Sequence, residues 1–198
     1  MSVGTDRVYG DGMKLHLGCG TKYLKGWVNV DAYDDHADRQ SDIVGLPWCE
    51  TASIDEIYSS HVIEHLHPID CRKALKEWHR ILIPEGVLTL RCPYADYHMN
   101  KWLEATDEER FDLQSGLRNS ILGHHKSYKI QGHHHQNLFT PGVLELYLKE
   151  AGFSKVEAEV CGPLMALRME HIRDGGRDAP DICDELTDVF GCAVKDAL

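Results

Sequence analysis

The sequence predicts an open α/β fold with a mostly parallel sheet and a nucleotide pocket at its strand ends. Three observations lead there. The short apolar run Lys14-Leu15-His16-Leu17 breaks into Gly18-Cys19-Gly20. A second run, Trp27-Val28-Asn29-Val30, ends on the acid Asp31. Two later runs, Ile54 to Ser60 and Val87 to Arg91, flank a helix-period stretch, as strands joined by a crossover helix do. Glycine lets the backbone approach a ligand where a Cβ would collide. Asp31, at the tip of the second strand, stands where a carboxylate accepts both hydroxyls of a ribose. The pattern reads as an adenosine pocket.

Taken in order, residues 1–12 are polar and rich in Gly and Asp, which suits a flexible arm. The first strand is Lys14 to Leu17, with His16 as a polar group beside the glycine loop or an ordinary strand-face histidine. Only Thr21 to Gly26 then separates the loop from the second strand. A parallel crossover normally takes a dozen residues or more, and six helical residues rise only about 9 Å. Either the first helix shrinks to a turn or the two strands are not neighbours. After the polar run AYDDHADRQS comes a brief third strand near Asp42 to Val44, followed by Gly45-Leu46-Pro47. Ile54 to Ser60 is the central fourth strand, and His61 to His67 leads into a helix. Asp70 is the N-cap expected there, and Leu75, Trp78 and Leu82 form its buried stripe.

Pro84-Glu85-Gly86 is a turn, and Val87 to Arg91 the fifth strand, ended by Cys92-Pro93. Residues 94–139 leave the regular pattern. They carry a helix around Asp107 to Leu122, the pair His124-His125 and the triplet His133-His134-His135, and form a segment able to close over a ligand. Thr140 as N-cap, Pro141 in the first turn and Gly152 as the stop define a helix with the apolar face Val143, Leu144, Tyr147 and Leu148. Lys155 to Val160 and Leu164 to Ile172 read as a closing antiparallel pair, and residues 173–198 as an acidic tail.

The 198 residues suit one domain, 1–198. A formal net charge of -11 disfavours a nucleic acid partner, because a phosphate backbone is held mainly by Lys and Arg. Seven cysteines without close repeated spacing suit reduced thiols rather than a disulfide framework or zinc ribbon. No signal-like or membrane-length apolar run is present, so a soluble cytoplasmic protein with no membrane association is expected; oligomeric state is left open.

The blocks LHLGCGTKYLKGWVNVD, SSHVIEHL and RILIPEGVLTLRCP resemble the class I S-adenosylmethionine-dependent methyltransferases over about residues 13 to 160. The likeness is closest to the compact group that reads LNLGCG, GWxNVD, EHL. It implies a Rossmann-like, mostly parallel seven-stranded sheet with helices on both faces, a lid after strand five and S-adenosylmethionine as cofactor. It further implies Leu17, Gly18, Cys19 and Gly20 beside the methionine part, Asp31 and Ala32 at the ribose, and Ser60 and His61 lining the pocket by the donor. The adenine falls to Asp42, three residues earlier than the family's usual acid, or to backbone groups of Gly45 and Leu46.

In such an enzyme the cofactor is already activated, so the protein holds the acceptor in line and removes a proton. His134 or His135 suits that base, since imidazole titrates near neutral pH, and Asp96 at the pocket mouth suits an acceptor contact. The expected activity is methyl transfer to a small-molecule or sugar-like acceptor. His61-Val62-Ile63-Glu64-His65 also matches H-x-x-E-H, where two histidines on one helix face could hold zinc for a hydrolase. The motif directly follows a buried strand, so Glu64 and His65 are instead expected to tie turn and helix start by hydrogen bonds, and no residue is assigned to a metal. A non-catalytic domain that binds S-adenosylmethionine is the further alternative.

Overall fold

The computed structural model describes residues 12–112, 116–123, 133–161 and 163–170. The expected N-terminal arm up to residue 11, the pair His124-His125 and the acidic tail lie outside the described residues.

The strands are β1 (Lys14–Leu17), β2 (Val28–Asp31), β3 (Arg39–Gln40), β4 (Ile54–Ser60), β5 (Leu82–Pro93), β6 (Lys155–Cys161) and β7 (Leu164–Glu170). They form one sheet in the order β3-β2-β1-β4-β5-β7-β6. β3 is only a two-residue edge pair, so six full strands carry the sheet. β7 runs antiparallel to both neighbours and the other pairings are parallel. β1 and β2 are direct neighbours, so the short connection between them is resolved by loss of the helix. The third strand pairs at Arg39 and Gln40 rather than near Asp42 to Val44. Beyond it, Asp42 accepts from the Val44 amide through Oδ1 at 2.9 Å, which turns the chain away from the sheet.

α1 (Pro68–Ile81) begins at Pro68, whose fixed φ suits the first helical position. The N-cap is His67, whose ring accepts from the Ile69 amide, rather than Asp70, which lies in the first turn and pairs with Lys73 at 2.8 Å. Leu75 and Trp78 are buried as expected, together with Cys71, Ala74 and Ile81. Leu82, the expected end of the stripe, already starts β5. Ile54 pairs with Leu82 and Glu56 with Val87, so Pro84-Glu85-Gly86 bulges out of one long strand opposite Asp55. Glu85 has φ 69° at this bulge.

The segment after β5 is more helical than its sequence suggests. α2 (Ala95–Glu104) has no capping side chain and buries only Ala95, so neither a cap nor an apolar stripe announces it. The single helix expected from Asp107 to Leu122 is divided into α3 (Asp107–Phe111) and α4 (Leu117–Leu122). α3 carries a capping box between Thr106 and Glu109, and α4 starts after Gly116 at φ 78°, a left-handed conformation that no helix contains. α5 (Pro141–Ala151) has the expected Thr140 cap, Pro141 and Gly152 stop. Leu144 and Leu148 are buried, whereas Val143 is 39% exposed and lies off the packed face.

Right-handed crossovers from β4 to β5 and from β5 to β6 put α1 and α5 on the same face of the sheet, where they pack together. Leu15, Leu17, Val30, Ile57, Leu88 and Leu90 meet Leu75, Trp78, Leu144 and Leu148 there in one core. The β1–β2 and β2–β3 crossovers run over the opposite face without helices. That face is polar along one row. His16 Nδ1 lies 3.2 Å from Asn29 Oδ1, and the His16 and Trp27 rings both approach Tyr58.

His16 is 2% exposed, and burial holds its pKa below the ordinary 6.5 against the smaller raising effects of Asn29 and Asp31. The unfolded chain therefore takes up the proton more readily than the folded one, and stability falls as pH drops below about 6.5. Thermal melts between about pH 7 and about pH 5 should show this loss, and His16→Gln should flatten it. An unchanged slope in His16→Gln would remove His16 from the acid sensitivity.

Candidate active site

The site is assembled at the C-terminal ends of β1, β2, β4 and β5, where the parallel strands hand over to loops. Leu17 is buried at the end of β1 and its carbonyl accepts from Ser59 Oγ at 3.0 Å, which ties β1 to β4. The amides of Gly18 and Cys19 both donate to the Val30 carbonyl, at 2.8 and 3.1 Å, and fold the glycine loop over β2. Gly18 has φ +70°, and a Cβ placed on it would stand 2.2 Å from Val62 Cγ2. Backbone and side chain leave room there for glycine alone. Gly20 is also left-handed, at φ +48°, yet nothing lies within 4 Å of where its Cβ would be. The loop is open on that side.

The Gly20 amide donates to Asp31 Oδ2 at 2.8 Å, and Asp31 Oδ1 accepts from the Tyr33 and Asp34 amides at 2.8 and 3.1 Å. A carboxylate has about four lone-pair sites, so three backbone donors aim it and acceptor capacity remains. Ala32 follows, its carbonyl accepting from Gln40 Nε2. Cys19 is buried beside this acid, and desolvation first, then the charge of Asp31, pushes its thiol up to about 12. It is a small neutral group there rather than a nucleophile.

The residues expected at the adenine are not brought together. Asp42 and Gly45 are exposed, and Asp42 is occupied with its own turn. Leu46 lies in the core, with its amide donating to Glu77 Oε1 at 2.9 Å and its carbonyl accepting from Arg80. The backbone donor expected to serve the base at Leu46 is therefore already taken, which corrects that assignment.

Ser60 ends β4, and His61 turns at φ 56° with its amide donating to the Arg91 carbonyl at 2.9 Å. The H-x-x-E-H motif does not lie on one helix. His61 precedes a short 3-10 turn, Ile63–His65, so the two histidines do not share a helical face. Glu64 is the centre of the arrangement. Its side chain is 2% exposed, and Oε1 lies 3.1 Å from His61 Nδ1.

The segment before α5 closes on this turn through its backbone. The Glu64 carbonyl accepts from the Gln136 and Asn137 amides at 2.7 and 3.1 Å. Gln136 Nε2 donates to the His65 carbonyl and Asn137 Nδ2 to the Leu66 carbonyl, both at 2.7 Å. Glu64 and His65 were expected to tie the turn to the start of α1; instead their carbonyls join the turn to the segment before α5. Gln136 and Asn137 hold the turn without a signal in the sequence, since no spacing rule pairs residue 64 with residue 136.

The triplet separates by side. His133 and His134 are exposed, whereas His135 is half-buried with its ring centroid 4.8 Å from that of His65. Burial is the main cause that holds both His65 and His135 below the usual imidazole pKa, so both are neutral at physiological pH. Asp96 is exposed in the first turn of α2, near the Tyr94 hydroxyl.

A profile of the methyltransferase domain family matches residues 10–158. The chain belongs to this family. The methyltransferase fold is shared with solved structures. One is an S-adenosylmethionine-dependent methyltransferase of Thermotoga maritima described as a possible histamine N-methyltransferase, with TM-score 0.56 and 16% identity over 83% of this chain and 84% of that one. Another, from Archaeoglobus fulgidus, has TM-score 0.54 and 15% identity over 81% and 86%. The methyltransferase CalH, solved with S-adenosylhomocysteine, has TM-score 0.53 and 16% identity over 80% of this chain and 51% of that one. No curated relative matches the chain.

At the glycine loop the open side of Gly20 lies next to the aimed carboxylate of Asp31. Gly18→Ala meets both a left-handed backbone and Val62, and should cost about 2–4 kcal/mol of folding stability. Gly20→Ala meets only the backbone penalty, about 1–2 kcal/mol. Urea unfolding of the two variants measures the difference; equal losses would mean that Val62 moves aside freely.

Proposed function

We propose that the chain transfers the methyl group of S-adenosylmethionine to an oxygen or nitrogen of a small, sugar-like acceptor. The observation that carries this reading is the hydrogen bond from the Gly20 amide to Asp31, which couples glycine loop and acid at adjoining strand ends. Leu17, Gly18, Cys19 and Gly20 take the methionine part, with the loop held down on the Val30 carbonyl. Asp31 takes the ribose hydroxyls, with Ala32 beside them. Ser60 and His61 line the pocket near the donor. The bound cofactor supplies a sulfonium-activated methyl group.

The chain's own part is to orient the acceptor and to accept its proton. His135 is the base in this reading. It is neutral, half-buried and held against the H-x-x-E-H turn, whereas the His134 ring is exposed. Asp96, exposed at the start of α2, is the acceptor contact in this reading. The formal net charge of -11 favours a neutral or cationic acceptor over a polyanion. Among the described residues no helix is long and apolar enough to cross a membrane, and a soluble cytoplasmic enzyme is the setting we infer.

Calorimetric titration of EDTA-treated protein with S-adenosylmethionine and S-adenosylhomocysteine tests the reading first, followed by S-adenosylhomocysteine release in the presence of polyols, sugars and amines. Saturable binding and acceptor-dependent release that is lost in His135→Ala are expected. Absence of binding to either ligand would overturn the reading. Binding without release on any acceptor would favour the non-catalytic alternative.

A further inference from the structure

We propose that Glu64, His65 and His135 form a binding site for a divalent first-row transition cation at the acceptor side of the pocket. Each offers one donor atom, and the three donors lie within 4.8 Å of one another. Two imidazoles and one carboxylate with remaining positions open are a donor set that such cations take, as in catalytic zinc and non-haem iron sites. Donors about 2.1 Å from a common cation stand about 3.4 Å apart, so small side-chain rotations complete the contact.

Two observations separate this cluster from an ordinary polar turn. The first is Glu64 Oε2, which is buried and has no hydrogen-bond partner. A buried carboxylate oxygen left unpaired is costly, and buried charges are generally paired or bound to metal. His61 occupies only the other oxygen, Oε1, at 3.1 Å. The second is how the two histidines are held. His65 Nδ1 lies 3.3 Å from the His134 carbonyl, which leaves Nε2 facing Glu64 at 4.0 Å. His135 is held half-buried beside it, with its ring centroid 4.8 Å from that of His65. Metal-binding histidines commonly donate one N–H to a carbonyl, which fixes the tautomer and leaves the other nitrogen as ligand.

The ligands come from two segments far apart in sequence, the turn after β4 and the stretch before α5. A bound cation would therefore lock the lid onto the turn that already carries the Gln136 and Asn137 contacts. Val62, within that turn, packs against Gly18, so the site adjoins the cofactor loop. With the cation bound His135 is a ligand rather than the free base; the cation's open positions would then hold an oxygen or nitrogen donor of the acceptor and acidify it, and its proton would pass to solvent. This role as an acceptor anchor rests on the methyl-transfer reading; the site itself does not.

The test is a Co²⁺ titration of the full, tag-free, EDTA-stripped chain under reducing conditions, read by absorption and by metal content, with S-adenosylhomocysteine calorimetry on the same samples. One cobalt per chain is expected, with d–d bands of nitrogen and oxygen ligation. His135→Ala and Glu64→Gln should each weaken cobalt binding about 100-fold or more, while His134→Ala leaves it unchanged. His65→Ala provides a second ligand deletion, and retained S-adenosylhomocysteine affinity certifies that the variants fold. The proposal is overturned if wild type takes up no stoichiometric cobalt. It is equally overturned if thiolate charge-transfer bands dominate, or if His135→Ala and Glu64→Gln bind cobalt as wild type does. Cobalt binding without S-adenosylhomocysteine binding would sink the methyl-transfer reading alone, and the reverse result would sink the metal site alone.

Discussion

Replacing Asp31 by alanine is expected to weaken S-adenosylhomocysteine binding by about 100-fold or more. Hydrogen bonds to a charged group contribute about 1.5–3 kcal/mol each, and every 1.4 kcal/mol is about tenfold in affinity. Two ribose hydroxyls on one carboxylate therefore account for at least two orders of magnitude. Alanine also frees the Gly20, Tyr33 and Asp34 amides that Asp31 gathers, so the glycine loop keeps only its backbone bonds to Val30 as ties to β2. Asp31→Asn keeps the shape and one acceptor oxygen, and should lie between alanine and wild type. Calorimetry measures all three. An alanine variant that binds within about threefold of wild type would remove Asp31 from the ribose site.

Trp78→Ala is expected to cause the largest loss of stability of any single substitution considered. Trp78 is fully buried in the last turn of α1, and its indole Nε1 donates to the Ile43 carbonyl at 2.8 Å. Truncating a buried aromatic costs about 3–5 kcal/mol, and the abandoned carbonyl adds about 1–3 kcal/mol. Domains of this kind are stable by about 5–15 kcal/mol in total, so the variant should populate the unfolded state appreciably. Trp78→Phe retains most of the volume and should lose only the hydrogen-bond part. Urea unfolding distinguishes the two; equal losses would show that the bond to Ile43, rather than packing, decides the effect.

The bond from Trp78 to Ile43 also shows where reading the sequence stops. Trp78 was legible as core from its spacing with Leu75, and Thr140, Pro141 and Gly152 marked α5 at both ends. Strong local signals of this kind, a cap, a proline or a helical stripe, were read correctly. α2 carries none of them and leaves no mark in the sequence. Asp70 imitates a cap, but Pro68 starts the helix two residues earlier and leaves the cap to His67. The long β5 contains a Pro-Glu-Gly turn that became a bulge, because Asp55 on the neighbouring strand accommodates the extra residues.

By itself, the sequence determined that this chain would make a nucleotide-binding α/β sheet, because a glycine loop after β1 and an acid ending β2 are local features placed by short spans of chain. It also determined the α1 core stripe and the limits of α5, for the same reason. Only the tertiary structure decided that the first crossovers have no helices and that Leu46 belongs to the core. It also decided that His135 rather than His134 faces Glu64. These depend on contacts between residues 31, 71 or more positions apart, such as Leu46 with Glu77 and Gln136 with His65. Such contacts leave no periodicity in the chain; they arise when packing brings one buried carboxylate and two separate loops to the same strand ends.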